Sequence, residues 1–283
     1  FKIYIDGTIK SLTFDVPMPS APYAAGQESR IGWGPGGGAY PYYNGNIGLV
    51  QIHSKALSST EILQNYNATK ARFNTTENIV TNGLVLNLDP GKPSSYPGTG
   101  TSIYDLSGSG NTGTLVNGPT FSTDAGGAIV FDGTDDYVQT ATNSIPNNSS
   151  FSLACYFNIT TLNSAFRPLV DGGNLGSGTA GYTLSIDNTN RLFIAVNAGY
   201  MSINTSLSTN TWYYIVGTAL AGSPYTLSIY VNGILQTPFA SANTNTLTNN
   251  ALYNRLGTSI TGTPIRFPGR IASTQIYNSC LLY

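Results

Sequence analysis

A long internal repeat constrains the fold of this chain more than any other feature of its sequence. Three blocks recur in the same order: Phe1-Lys-Ile-Tyr-Ile-Asp-Gly with Leu227-Ser-Ile-Tyr-Val-Asn-Gly, Arg30-Ile-Gly with Arg255-Leu-Gly, and the ten residues from Tyr43 with the ten from Phe267. Their offsets are 226, 225 and 224 residues. A period of this length exceeds any solenoid unit, so the repeat predicts tandem domains of roughly 220 residues.

The first copy is represented by its C-terminal part, which is predicted to end in a short helix. Ser58 and Glu61 have the spacing of a capping box, and Leu57 and Ile62 are placed to form a hydrophobic staple across it. The polar stretch that follows indicates a linker. The predicted divisions are the end of a first domain, a linker and a second domain, over residues 1–73, 74–82 and 83–283.

Charge and hydropathy exclude two classes of partner. The 283 residues include 12 basic and 13 acidic side chains, a net charge of -1, and no basic cluster. Nucleic-acid binding needs a concentrated positive field, so we expect no nucleic-acid partner. No run approaches the ~18 apolar residues of a membrane span, so we expect no membrane insertion.

Short segments rich in β-branched and aromatic residues alternate with turn residues through the second copy, at the spacing typical of a sandwich. The pattern predicts an all-β, antiparallel two-sheet jelly roll. Cys155 lies inside one apolar segment and is interpreted as a small buried hydrophobe. The predicted strands are Ala128–Phe131, Tyr137–Thr140, Phe151–Ile159, Tyr182–Ile186, Leu192–Val196, Trp212–Thr218, Leu227–Val231 and Gly269–Tyr277.

These segments carry a family resemblance over nearly the whole chain. The motifs are Asp105-Leu-Ser-Gly, Asn111-Thr-Gly-Thr-Leu, Ile129-Val-Phe-Asp-Gly-Thr-Asp-Asp-Tyr-Val, Phe151-Ser-Leu-Ala-Cys-Tyr-Phe, Trp212-Tyr-Tyr-Ile-Val, Ile229-Tyr-Val-Asn-Gly and Gly269-Arg-Ile. In this pattern the chain resembles the laminin-G-like (concanavalin A-like) jelly-roll domains that recur in phage tail and virion-surface proteins. The resemblance implies a sandwich that binds sugars or proteins, and related domains often hold a structural calcium ion.

Catalytic signatures are weak. His53 is the single histidine, and its repeat equivalent is Tyr277, so the position tolerates a non-basic ring. All three glutamates, Glu28, Glu61 and Glu77, precede the second copy, and no aspartate pair is singled out for glycoside hydrolysis. We therefore expect no enzymatic activity.

Two acidic groups are candidate calcium sites because carboxylate and amide oxygens are hard ligands. Asp132, Asp135 and Asp136 surround one predicted turn, and Asp105 with Asn111 flank a second, glycine-rich one. The alternative interpretation is turn chemistry, since aspartate and asparagine also stabilise tight turns. The sequence leaves both alternatives open.

A ring-rich segment of the first copy is the candidate ligand site. Trp33, Tyr40 and Tyr42 have no aromatic counterparts in the second copy, whereas Tyr43 corresponds to Phe267 and is predicted to be core. Sugars pack their apolar faces on flat rings. The three unmatched rings therefore predict contact with a ligand or a neighbouring subunit.

Together these features predict a non-enzymatic adhesion protein, on a virion surface or extracellular, such as a phage tail fibre or capsid appendage. Its expected partners are a host surface glycan or receptor protein and neighbouring virion or fibre subunits. Two alternatives stay open: a purely structural spacer or assembly protein, and a carbohydrate-binding accessory module of a bacterial surface glycosidase.

Overall fold

The computed structural model describes residues 3–5, 8–10, 31, 50–65, 79–143, 145–173, 180–242, 246–249, 251–260 and 265–281. The chain divides into two compact units, Phe1–Ile79 and Val80–Tyr283. Much of the first unit lies outside the described residues, so the tandem-copy interpretation stays a prediction. No helix in the described part of the chain is both long and apolar enough to cross a membrane.

The described part of the first unit contains a hairpin and a short helix. Strand β1 (Ile3–Ile5) pairs with β2 (Thr8–Lys10). Residues 59–65 form helix α1. The amide of Glu61 donates to the Ser58 hydroxyl over 3.3 Å, and the Glu61 carboxylate accepts from the Ser58 amide over 2.8 Å. The predicted capping box is confirmed.

The second unit is a two-sheet antiparallel sandwich, which confirms the predicted fold class. Its first sheet has nine strands, in the spatial order β17 (Ala240–Ala242), β13 (Gly199–Ile203), β12 (Leu192–Val196), β11 (Tyr182–Ile186), β10 (Arg167–Asp171), β18 (Arg255–Leu256), β8 (Tyr137–Thr140), β5 (Gly113–Val116) and β4 (Ser102–Ile103). The second sheet has eight, in the order β16 (Ile234–Leu235), β15 (Thr226–Val231), β14 (Trp212–Leu220), β9 (Phe151–Ile159), β19 (Pro268–Tyr277), β7 (Ala128–Asp132) and β6 (Thr120–Ser122), with β3 (Leu84–Leu88) also paired to β19.

Alternating apolar residues of the two sheets form one core between them. Phe151 of β9 packs on Tyr182 of β11 with ring centroids 4.9 Å apart, and Phe157 meets the edge of Phe267 at 6.1 Å. Each such fully buried side chain contributes about 1.5–3 kcal/mol through removal of apolar area from water. Cys155 is completely buried, and burial raises the pKa of its thiol to about 12. It is a packing residue, as predicted.

All eight predicted strands are present, but the sequence analysis missed several short ones. Strand β10 was missed because Pro168 cannot donate to a sheet ladder, and the register of β10 shifts between Pro168 and Val170. Strand β13 begins at Gly199, which weakens the β signal. Both of these missed strands belong to the sheet that carries the candidate site.

Candidate functional site

The outward-facing side chains of the nine-stranded sheet form rows that run across the strands. Since Tyr182, Leu184 and Ile186 point into the core, the alternating residues of β11 face outward. Strand pairing gives one row of Asp171, Thr183, Ala195, Tyr200 and Ala242. It gives a second row of Pro168, Ser185, Phe193, Ser202 and Ala240.

Small side chains along these rows leave a groove of about 690 Å³, which we call the sheet groove. Its floor consists of small side chains: Thr183, Ser185, Ala195 and Ser202. The rings of Phe166, Phe193 and Tyr200 also line the groove. Phe166 and Tyr200 are 41% and 39% exposed, so their ring faces are available to a ligand. The volume is that of a small-molecule site.

A buried arginine fixes one rim of the sheet groove. Arg167 is 0% exposed, and its Nη1 donates to the carbonyl and side-chain oxygens of Asn163 at 2.7 and 2.6 Å. Its Nη2 donates to the Asp187 carbonyl at 3.2 Å and to the Asn190 side chain. Arg167 therefore ties the segment before β10 to the turn after β11.

The turn after β11 is further held by the Asp187 carboxylate. Its Oδ1 accepts from the Thr189 amide and hydroxyl, both at 2.7 Å, and from the Arg191 amide at 2.9 Å. Asp187 and Arg191 both line the sheet groove. The Asp187 carboxylate is consequently directed into its own turn, away from the middle of the groove floor.

Asp171 lies at the opposite end of the groove floor and is only 1% exposed. Burial raises the pKa of its carboxyl to about 7, against the opposing effects of the Ile260 amide, the Thr183 hydroxyl and the Arg255 guanidinium. The Ile260 amide donates to Oδ2 over 2.8 Å. A carboxyl with this pKa in a groove is a functional candidate on physical grounds.

Two hydroxyls, those of Thr183 and Ser185, lie side by side on the groove floor, and Thr183 is the cross-strand partner of Asp171. The Thr183 hydroxyl lies 2.7 Å from the Ser185 hydroxyl. It donates to the Val170 carbonyl over 3.0 Å. Either hydroxyl can be the donor in the Thr183–Ser185 bond.

The three aspartates predicted as a calcium site lie together, with their carboxylate oxygens within 4.8 Å of one another. Asp132 Oδ1 accepts from the amides of Thr134 and Asp135, and the Thr134 amide lowers the Asp132 pKa. Burial raises the pKa of Asp136, and the nearby charges of Asp132 and Asp135 add to this. A donor set of three carboxylates fits Ca²⁺, and binding at this turn stays a prediction.

Asp105 and Asn111 are bound within their own loop. Asp105 accepts from the amides of Asn87, Ser107 and Asn111 and from the Ser107 hydroxyl, at 2.8–3.0 Å. Four donors occupy the four lone-pair positions of the carboxylate. The Asn111 side-chain amide (Nδ2) donates to the Val85 carbonyl at 2.8 Å. These bonds stabilise the loop directly, and calcium binding at Asp105 and Asn111 stays a prediction.

The other predicted residues belong to different parts of the chain. Trp33, Tyr40 and Tyr42 lie outside the described residues, and His53 is exposed in the first unit. Phe267 is fully buried, as expected for core. The sheet groove itself was missed, although alternating Thr183, Ser185 and Phe193 within predicted strands signalled an outward face with small polar residues beside a ring.

These features define the protein class as a lectin-like β-sandwich. A laminin-G family model, described as the concanavalin A-like lectin/glucanases superfamily, matches residues 132–282, which is 151 of the 283 residues. The chain belongs to this superfamily. No curated protein sequence matches it.

Solved structures share the fold at low sequence identity. Domain 4 of an extracellular arabinanase from Geobacillus stearothermophilus, in complex with arabinotriose, is 14% identical with a TM-score of 0.52, over 70% of this chain and 94% of that one. A Trypanosoma rangeli sialidase is 18% identical with a TM-score of 0.53, and the match covers 79% of this chain and 38% of the sialidase chain. The binding domain of botulinum neurotoxin DC, in complex with SialylT, is 16% identical with a TM-score of 0.53, and the match covers 71% of this chain and 49% of the neurotoxin chain. The chain thus spans less than half of the sialidase and neurotoxin chains.

Proposed function

We propose that this chain is a non-enzymatic adhesion protein and that the sheet groove binds a glycan. The observation that carries the proposal is the pairing of exposed rings with a floor of small hydroxyl-bearing residues. Rings such as Tyr200 offer a flat apolar surface to a sugar face, and Ser185 and Ser202 offer hydrogen bonds beside it. Structures with this fold include domains in complex with arabinotriose and with SialylT, which supports the proposal.

The charged groups of the groove favour a neutral glycan. Asp171 and Asp187 contribute two carboxyl groups, and Arg191 contributes one guanidinium. The Arg191 guanidinium lies 3.8 Å from the centroid of the Phe239 ring, where a cation–π contact engages it. A uronic or sialic acid would bring its own negative charge toward the two carboxyl groups.

The geometry of the two groove aspartates supports binding without catalysis. Glycoside hydrolysis uses two carboxyl groups separated by about 5–9.5 Å. Asp171 is opposite Thr183, and Asp187 is four residues beyond Thr183, which is about 13 Å along a strand. The Asp187 carboxylate is also held by its own turn. The backbone spacing and the turn contacts of Asp187 both argue against a carboxyl pair that flanks one glycosidic bond.

We place the protein on a virion surface or outside the cell, where a host surface glycan or receptor is its partner. Fibre or virion subunits are its other proposed contacts, because the internal repeat resembles tandem arrays in such proteins. The second candidate is an accessory module of a bacterial surface glycosidase. The match to nearly all of domain 4 of the arabinanase favours this candidate specifically.

The test is binding of named oligosaccharides to the full chain by isothermal titration calorimetry. Arabinotriose, xylotetraose and cellotetraose are the neutral probes, and sialyllactose is the anionic comparison. Tyr200→Ala is expected to weaken neutral binding about 30-fold, because a ring at a binding hot spot is worth about 2 kcal/mol. Tyr104→Ala is the matched control, since this ring is 52% exposed and lies outside the sheet groove.

Two results would contradict the proposal. If Tyr104→Ala and Tyr200→Ala weaken binding equally, the sheet groove is not the site. If no probe binds and a wider glycan panel also gives no signal, the structural-spacer alternative replaces adhesion.

A further inference from the structure

The outward face of the nine-stranded sheet continues past Asp171 onto β18 and β8. Strand pairing places Arg255 between Asp171 and Gln139, so these residues extend the first row of the sheet groove. Leu256, the next residue of β18, points into the core, and the Arg255 side chain therefore points outward. The groove floor is followed directly by a positively charged side chain.

A second arginine lies beside the first, and we call Arg255 and Arg266 the arginine pair. Both guanidiniums pack on the ring of Tyr137, and their central carbons are 4.7 and 5.7 Å from its centroid. The ring of Tyr253 has its centroid 5.2 Å from the Arg255 guanidinium carbon. Cation–π contacts of this kind hold the two charges at one place on the sheet surface. The two guanidinium carbons are no farther apart than the sum of their distances to the shared ring.

The arginine pair adjoins the sheet groove through two of the groove's own residues. The Arg255 Nη1 donates to the Ser259 carbonyl over 3.4 Å, and Ile265 directly precedes Arg266 in the chain. Ser259 and Ile265 both line the sheet groove. A ligand that fills this end of the groove therefore lies next to the arginine pair.

No acidic side chain forms an ion pair with the arginine pair in the part of the chain that the structure describes. The basic residues with ion pairs there are Lys55, Lys92 and Arg270. Asp171 is next to Arg255 in the row, but burial raises the pKa of its carboxyl to about 7, so its charge is only partial near neutral pH. A guanidinium in a protein stays charged. The pair therefore keeps a net positive charge beside the groove.

Several N–H groups of the arginine pair have no acceptor among the described residues. A guanidinium has five N–H donors. Arg255 uses three of them, two toward the Gln139 side chain and one toward the Ser259 carbonyl. Arg266 donates from Nη1 to the Thr258 hydroxyl, and its buried Nε has no hydrogen-bond partner. Both arginines are half-buried, so part of each side chain is open to solvent.

We propose that the arginine pair is an oxyanion site and that it binds a carboxylate or sulfate group on an acidic unit of the glycan in the sheet groove. Arginine binds oxyanions through paired N–H···O bonds, which are stronger than bonds between neutral groups. This inference rests on the proposed function of the groove. It extends the ligand class from a neutral glycan to a glycan that carries an acidic substituent beyond the end of the groove.

The position of the arginine pair is compatible with the carboxyl groups of the groove. Four strand spacings separate Arg255 of β18 from Tyr200 of β13 along the first row. At about 4.8 Å for each spacing, this span is about 19 Å. An oligosaccharide of several units can cover it, with neutral units on the floor and the acidic unit at the arginine end. There the guanidiniums offset the repulsion from Asp171.

A simple anion tests the oxyanion site without any glycan. Sodium sulfate is titrated into the full chain at constant ionic strength, and the arginine Nε–H signals are followed by NMR spectroscopy. The Arg255 and Arg266 signals should shift and saturate together. Arg270 is the control, because it is ion-paired with Asp124 and should not respond. Equal shifts at all three arginines would show an adventitious ion only and overturn the site, as would no shift at the arginine pair.

Matched oligosaccharides test whether a glycan supplies the anion. Isothermal titration calorimetry on the full chain compares xylotetraose with a xylotriose that carries one glucuronic acid unit. The wild type should bind the acidic probe about tenfold more tightly, which is the gain expected from a hydrogen bond between charged groups. Arg255→Gln and Arg266→Gln should bring the ratio of the two affinities to about one, whereas Arg270→Gln should retain the wild-type ratio.

Lysine variants separate loss of the site from loss of folding. Arg255→Lys and Arg266→Lys keep the charge but lose the paired donors, so they should lose most of the preference for the acidic probe while melting as cooperatively as the wild type. Full preference in both lysine variants would overturn the paired-donor site.

The two probes also distinguish failure of this inference from failure of the proposed function. Binding of xylotetraose with no preference for the acidic probe would overturn the inference alone. Sulfate binding at the arginine pair without binding of any glycan probe would keep the oxyanion site but overturn the glycan as its ligand, and the proposed function with it.

Discussion

Asp171 and Arg255 lie opposite each other on neighbouring strands, yet within the described structure they form no ion pair. The Arg255 Nε and Nη2 donate to the Gln139 side chain at 3.2 and 3.1 Å, and its guanidinium carbon is 4.7 Å from the Tyr137 ring centroid. These contacts hold the guanidinium away from the carboxyl. Asp171 is left with neutral donors, so the cost of burying its charge decides its protonation.

The first prediction is that Asp171 makes the folded state less stable as pH rises. Its folded pKa of about 7 exceeds the value near 3.9 of an unfolded aspartate, so the native state binds more protons between these pH values. Stability should fall from about pH 4 to pH 7 by roughly 4 kcal/mol and then level off. Urea unfolding of the wild type and Asp171→Asn across this range measures the effect.

The Asn variant should equal the wild type near pH 4 and exceed it in stability at pH 8. The difference between the two proteins isolates Asp171 from other titrating groups such as Asp136. A constant difference at every pH would show that Asp171 does not titrate in this range.

The sequence predicted the sandwich but not the sheet groove, and the difference has physical reasons. Strand periodicity is local, so β11 and β12 were predicted with their full bounds. The groove depends on which strands become neighbours, and nothing in the sequence near Asp171 indicates that Thr183 lies opposite it. The buried state of Asp171 is likewise a property of the assembled sheet.

The second prediction concerns Arg167, whose guanidinium holds two segments at the groove rim. Arg167→Met should lower the free energy of unfolding by about 3 kcal/mol, because the fully buried guanidinium would be lost together with its charged hydrogen bonds to the Asn163 and Asp187 carbonyls. Arg270→Met is the matched control, since Arg270 is partly exposed and pairs with Asp124. Its cost should be about 1 kcal/mol or less. Equal costs in chemical denaturation would show that Arg167 has no special structural role.

The third prediction is a stabilising calcium ion at Asp132, Asp135 and Asp136. An ion that binds only the folded state stabilises it by about 2.7 kcal/mol at a free concentration 100 times its Kd. The melting temperature should therefore rise with added Ca²⁺ and fall with a chelator. Asp135→Asn should remove most of this response, and Asp124→Asn should retain it. A melting temperature that changes with neither added calcium nor the chelator would show that this turn binds no calcium.

The fourth prediction is that the chain does not hydrolyse the sugars it binds. Prolonged incubation with xylotetraose, cellotetraose or arabinotriose should give no new reducing ends above a protein-free blank, because the strand spacing of Asp171 and Asp187 and the turn contacts of Asp187 argue against a paired-carboxyl site. Turnover that disappears in either Asp171→Asn or Asp187→Asn would establish a catalytic role and defeat the adhesion proposal.

The fifth prediction concerns the ring-rich segment of the first copy, which lies outside the described residues. Trp33→Ala, Tyr40→Ala and Tyr42→Ala should each weaken glycan binding while leaving stability nearly intact. A stacked ring is worth about 2 kcal/mol in binding, whereas a surface substitution shifts stability by about 0.5 kcal/mol or less. The second copy lacks these rings, so the fold does not require them.

Tyr43→Ala is the internal control for this segment, because its counterpart Phe267 is fully buried. Loss of such a core ring costs about 3–5 kcal/mol of stability, so thermal unfolding should separate Tyr43→Ala from the other three variants. If Trp33→Ala, Tyr40→Ala and Tyr42→Ala are as destabilising as Tyr43→Ala, the rings are core and the segment is not a ligand site. A third outcome is that these three variants alter neither stability nor binding while Tyr200→Ala abolishes binding. The glycan then binds in the sheet groove alone, because only the rings of the groove contribute to the free energy of association.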